Sequence, residues 1–166
     1  MTLAKEVLKD LENYSFWIKD ISRSYRVSDK QEFNVYLSGL IEEIAEYEYE
    51  KNTNGVESEL KIEIGDALAY WVLCVNYLDS PIRSYDFEEN PHPVNSWKLV
   101  KDLSGQLKRI NRGDGDIHVL QKLLSLALSY IGFEIFDLRC SFSEIIEINI
   151  DKLEKRLNLN KTGNDE

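Results

Sequence analysis

Five carboxylates stand out in the sequence by their spacing. Glu42, Glu43 and Glu46 fall within Gly39-Leu40-Ile41-Glu42-Glu43-Ile44-Ala45-Glu46, and Glu63 and Asp66 follow in Glu63-Ile64-Gly65-Asp66. Glu43 and Glu46 are three positions apart, as are Glu63 and Asp66, a separation that stacks side chains on one face of an α-helix. If the two helices pair, four carboxylates face one another across a groove. Like charges held that close repel unless a cation compensates them. Hard oxygen donors suit Mg2+ or Mn2+, ions that engage substrate phosphates. An ion so placed polarises a phosphoryl group and lowers the pKa of an attacking water. Glu42 points about 100° away from Glu43 around a helix, which makes it a candidate for supporting the site or for touching an additional metal. The plain alternative is a solvated acidic face, because the chain is acid-rich and single i,i+3 acid pairs arise readily. Two such pairs, either side of one tight turn and inside apolar helices, favour the site.

The periodicity of the apolar residues supplies the elements that must position these acids. Leu3, Val7, Leu8, Leu11, Tyr14 and Ile18 predict a helix over 3–21. A second is predicted over 30–51, with Phe33, Tyr36, Leu37, Leu40 and Ile44 facing the core and Ser28 with Gln31 as its capping box. Asn52-Thr53-Asn54-Gly55 signals a turn, and a third helix follows over 57–78 through Leu60, Ile64, Ala67, Leu68, Trp71 and Val75. So short a connector makes these helices antiparallel neighbours. Residues 79–96 hold all three prolines, Pro81, Pro91 and Pro93, and read as a loop, either a crossover or a flap over a site. Further helices are predicted over 97–110, over 117–138, and from a Ser141/Glu144 capping box through Leu157, leaving a polar tail over 158–166. No stretch alternates with period two. The fold class is therefore all-α, a multi-helix bundle built on antiparallel helical hairpins, with one domain over 1–157.

A weak internal echo points the same way. Ala67, Leu68 and Tyr70 recur as Ala127, Leu128 and Tyr130, and Ser38-Gly39 recurs as Ser104-Gly105. The second copy exchanges acids for bases, Lys108, Arg109 and Arg112 against Glu42, Glu43 and Glu46. A doubled hairpin of this kind would close on itself as a four-helix bundle; the plain alternative is chance similarity between two amphipathic helix pairs.

Composition narrows the function. The chain has 166 residues, 43% of them hydrophobic, which suits one domain with a real core. Thirty acidic against 20 basic side chains give a formal charge of -10. That sign disfavours nucleic acid and acidic membrane surfaces, although a metal can bridge the protein to a nucleotide. Cys74 and Cys140 are too few for a disulfide framework or a cysteine-based zinc site and read as free thiols in a reducing compartment, the cytoplasm. The start, MTLAKEVLKDLE, lacks the apolar core of a signal peptide. The longest apolar run, from Ala67 to Val75, is too short to span a bilayer. His92 and His118 are isolated and carry no ligand or nucleophile signature.

The two acidic segments, taken together, resemble the signature of the MazG-like all-α nucleoside triphosphate pyrophosphatases: two adjacent Glu, a third three positions on, then Glu-x-x-Asp after a variable spacer. Ala67-Leu68-Ala69-Tyr70-Trp71 continues in the same manner. Glu147, Asn149, Lys152-Leu153 and Arg156 resemble the C-terminal Asn-x-x-Lys-Leu-x-x-Arg helix of that family, and Lys161-Thr162-Gly163-Asn164-Asp165 faintly resembles the tail of some members. The resemblance implies Mg2+-dependent hydrolysis of a nucleoside triphosphate to the monophosphate and pyrophosphate. It implies Glu43, Glu46, Glu63 and Asp66 as metal ligands, with Asn149, Lys152 and Arg156 meeting the nucleotide. It also implies a homodimer or homotetramer. The chain departs from the family in the spacer between its acid motifs, where Lys51 and Lys61 are the only bases; Lys108, Arg109 and Arg112 are then candidates to supply phosphate contacts. Related dimeric dUTPases resemble a fused form of the same hairpin and keep dUTP open as the substrate. Trp71, Trp97 and Tyr70 are candidates for a base platform, with core packing the better assignment for Trp71. A nucleotide-binding bundle without turnover and a helical interaction protein with solvated acids are the rival readings.

Overall fold

The computed structural model describes residues 3–22, 31–85 and 92–162. Within them run six helices and no strand: α1 (Leu3–Ser22), α2 (Glu32–Thr53), α3 (Glu57–Tyr77), α4 (Ser96–Arg112), α5 (Ile117–Asp137) and α6 (Phe142–Thr162). The all-α bundle is therefore as the periodicity predicts.

Local chemistry explains most of the boundaries. Asn95 accepts the Lys98 N–H and starts α4, and Asp116 accepts from His118 and Val119 and starts α5. Ser141 Oγ accepts the Glu144 N–H at 3.1 Å, half of the expected capping box. Gln31 precedes α2 without a side-chain cap, and its expected partner Ser28 lies outside the described residues. Gly113, at φ 81, ends α4 in the left-handed conformation that a side chain disfavours. α6 continues past Leu157 to Thr162, into the segment read as a tail. No Gly or Pro interrupts it before Gly163, and apolar periodicity alone stops marking a helix once its last turns leave the core.

α2 packs along α3, α4 packs along α5, and the pairs close through α2–α4 and α3–α5 contacts. These are the two hairpins of the expected four-helix bundle. α1 and α6 lie against α3 and touch each other. The echo extends to the turns that leave the second helix of each pair. Asp79 and Arg139, separated as Ala67 and Ala127 are, both adopt positive φ, at 52° and 55°. Ser80 N–H reaches Val75 O, and Cys140 N–H reaches Ile135 O in the matching bond.

Trp71, fully buried, ties the pairs together by donating from Nε1 to Leu124 O at 2.8 Å. It is core rather than a base platform, and Trp97 is exposed on α4. The first part of the proline-bearing loop forms a 3-10 turn, Ile82–Ser84, against α1. Ile82 and Tyr85 are buried, and the Tyr85 ring meets Trp71 edge-on at 5.4 Å. That segment is a core anchor and not a flap.

α5 is long and apolar enough to cross a membrane by composition, but Leu120, Leu124, Ala127, Leu128, Ile131 and Ile135 are buried in the bundle. It also carries Glu134, 4% exposed, which accepts from Tyr47 Oη at 2.9 Å and from Lys51 Nζ at 2.9 and 3.0 Å. Tyr130 Oη donates to Glu48 at 2.8 Å beside it. A buried carboxylate persists only with partners of this kind.

Candidate metal centre

α2 and α3 bring the acids together because they pack lengthwise across the short turn at Gly55. Small residues set how closely neighbouring elements approach. A Cβ at Gly65 would meet Asn149 Cβ at 3.4 Å and Ile145 Cγ2 at 3.5 Å, ordinary van der Waals contact, so α6 lies close on α3 here without requiring the glycine. A Cβ at Gly39 would run into the ring of Tyr70, which crosses from α3 over α2 at this point.

Glu43, Glu63 and Asp66 each place a carboxylate oxygen within 4.8 Å of the others. All three are half-buried, and the donor set is entirely oxygen. Glu46 lines the same cavity from an exposed position and stays outside the trio. Glu42 is exposed and does not line the cavity, as its direction around α2 requires.

The electrostatics are those of a crowded acid cluster. Burial, then the charges of Asp66, Glu46 and Glu63, push the Glu43 carboxyl up to about 8, against the opposing pull of Lys152. Burial and the charges of Asp66 and Glu46 raise Glu63 as well. Glu43 Oε2 is buried without a hydrogen-bond partner. An orphaned buried acceptor costs about 1–3 kcal/mol. A cation at the trio would engage the Glu43 carboxylate and relieve the mutual repulsion, so these residues fit a bound divalent ion.

Positive charge comes from α6. Lys152 Nζ pairs with Asp66 Oδ2. Asn149 Nδ2 donates to Asp66 Oδ1 at 3.0 Å, and Tyr14 Oη donates to Asn149 Oδ1. Arg156 lines the cavity from an exposed position. Lys108, Arg109 and Arg112 are not part of this wall. They are exposed on α4, which packs against α2 and α5 and away from α6. Lys51 is committed to Glu134, and Lys61 to Glu144 and Glu57.

The cavity between these walls holds about 490 Å³. Glu43, Glu46, Glu63, Asp66, Asn149, Lys152 and Arg156 form its polar lining. Ile18 and Ile21 of α1, Val35 and Tyr36 of α2, Ala69, Tyr70 and Leu73 of α3, and Leu153 of α6 complete it. Of the three proposed platform residues only Tyr70 is here. Sequence reasoning missed the contribution of α1, because Tyr14 and Ile18 share the periodicity of any core-facing helix. It missed Val35 and Leu73 because exposed or half-exposed apolar residues on α2 and α3 carry no motif. Chemically, the arrangement can hold a cation against a carboxylate trio and an anion against Lys152 and Arg156, next to an apolar surface.

No protein-family model, curated protein or solved structure matches the chain.

Proposed function

We propose that the chain is a metal-dependent nucleoside triphosphate pyrophosphohydrolase of the MazG-like kind, acting on a deoxynucleoside triphosphate. One observation carries the reading: three converging carboxylates, one with an orphaned buried oxygen, share a cavity with Lys152 and Arg156 and with aliphatic and aromatic side chains. A nucleotide has the matching parts, a metal-chelating polyanion joined to a flat base.

Glu43, Glu63 and Asp66 hold Mg2+ or Mn2+ in this reading. Such an ion, when bound, would supply Lewis acidity, neutralising phosphate charge and favouring ionisation of the attacking water. Glu46, outside the trio and open to solvent, accepts the proton as water adds to the α-phosphorus. The bond from that phosphorus to the bridging oxygen breaks, and pyrophosphate leaves with the electron pair. Lys152 and Arg156 stabilise the charge that develops on the phosphates. Tyr36, Tyr70 and the aliphatic wall take the base.

The test is pyrophosphate release from the common ribo- and deoxyribonucleoside triphosphates and dUTP, with Mg2+ and with EDTA, beside an Asp66→Ala control. Turnover that needs the metal and falls at least about 100-fold in the control is the expected result. The ranking of substrates then separates a dUTPase from a broader enzyme. No turnover with any nucleotide, or undiminished turnover in Asp66→Ala, overturns the proposal.

A further inference from the structure

Asp66 is gripped through a chain of groups from three helices. Asn149 of α6 donates from Nδ2 to Asp66 Oδ1 at 3.0 Å, and its own Oδ1 accepts from the Tyr14 hydroxyl of α1. Tyr14 and Asn149 are each 2% exposed, so water does not compete for these bonds. The two ends of an amide are nearly equal in shape and opposite in chemistry. Turned the other way, Asn149 would press an oxygen against the Asp66 carboxylate. The carboxylate, which only accepts, takes Nδ2, and the hydroxyl, by donating to Oδ1, adds the second bond that holds the amide in that orientation. Burial, with the nearby charge of Asp66, raises the Tyr14 hydroxyl far above its ordinary value and keeps that proton in place.

We infer that Tyr14 is a positioning residue for the metal centre: by fixing the amide of Asn149 it ties down Asp66 Oδ1 and sets the direction in which Asp66 offers Oδ2 to the cation. Lys152, which reaches Oδ2 in this structure, lines the cavity, so that oxygen lies on the cavity side. The inference rests on the reading of Asp66 as a metal ligand. Partners one bond removed from a ligand carry about 10–100-fold in metal affinity where this has been tested generally.

Tyr14→Phe is the informative variant, since it keeps the ring and its stacking on Trp17 and removes only the hydroxyl. Mn2+ affinity, read by electron paramagnetic resonance of the free ion without nucleotide, should fall by several-fold, up to about 10-fold, Tyr14 lying one bond further from the ligand than Asn149. The kcat for pyrophosphate release should fall, while KM at saturating metal stays near that of the parent. Asn149→Ala removes the same link without touching Tyr14, and covers the case in which Tyr14→Phe does not fold. The double variant should bind Mn2+ no worse than Asn149→Ala alone, because the two groups act through one bond. Parental Mn2+ affinity in Tyr14→Phe, or losses that add in the double variant, overturns the positioning role and leaves the metal site standing. Failure of the parent protein itself to bind Mn2+ overturns both this role and the metal reading beneath it.

Discussion

Glu43→Gln separates a metal centre from a solvated acidic face without any knowledge of the substrate. The Glu43 carboxyl is raised from 4.5 to about 8 by burial and by three neighbouring carboxylates. The folded state therefore binds a proton that the unfolded chain releases. In the absence of metal, this group stabilises the fold fully below about pH 4.5 and loses that contribution as pH climbs to about 8. Each tenfold change in the protonation equilibrium is about 1.4 kcal/mol, so the full interval corresponds to about 5 kcal/mol. Glu43 is only half-buried and borders an open cavity, and water there screens the repulsion to about 1–2 kcal/mol. Glutamine keeps the shape, stays neutral, and can donate to the surrounding carboxylates. The variant should melt about 2–8 °C above the parent in EDTA at about pH 8.5, given about 2–4 °C per kcal/mol for a chain of this size. The difference should shrink to nothing towards about pH 4.5. Added Mg2+ or Mn2+ should reverse the order, since only the parent gains the ligand. The measurement is a thermal melt of both proteins across pH, with and without metal. A variant no more stable than the parent in EDTA at high pH would mean that Glu43 is an ordinary solvated acid.

Two further substitutions probe the scaffold. Gly39→Ala drives a methyl into the Tyr70 ring and should destabilise by about 1–3 kcal/mol despite the better helix propensity of alanine; pairing it with Tyr70→Ala should recover part of that loss in urea unfolding, and a stabilised single variant would contradict the contact. Glu134→Ala strands the Tyr47 hydroxyl and the Lys51 ammonium between α2 and α5. It should cost about 2–4 kcal/mol, less than for a fully buried pair because Lys51 reaches solvent, and Mn2+ binding should be unchanged.

Much of the site is visible in residue order because helices convert spacing into direction. Glu43 with Glu46 and Glu63 with Asp66 needed only the three-residue interval and a short turn to be placed together. The interval does not say how deep each position sits, so it ranks Glu46 equally with Glu43, although one is exposed and the other half-buried. Helices distant in sequence are harder. Lys108, Arg109 and Arg112 had the right charge for phosphate, but α4 packs on α2 from a side that the cavity does not use. Lys152 and Arg156 were legible through the resemblance of their helix to a known pattern, and no periodicity would have chosen them over Lys155. Tyr14 was legible only as a core residue. Its hydroxyl gains a task from Asn149, and that pairing belongs to the meeting of α1 and α6.

The members of this cluster come from opposite ends of the chain. Asp66 and Lys152 are 86 positions apart, and Tyr14 and Asn149 are 135 apart. The acids are therefore made early, on a hairpin that assembles from local contacts, while their counter-charge arrives on the helix made last of the six. A nascent chain holding only α1 to α3 presents the carboxylates to one another with nothing between them. Closing that hairpin works against its own charge until α6 docks or a cation from solution takes its place, and contacts of such long range are the slow ones to form. On the proposed reading, a divalent metal would act as a clasp during folding as well as a reagent afterwards, and refolding after dilution from denaturant should then quicken when Mg2+ is present.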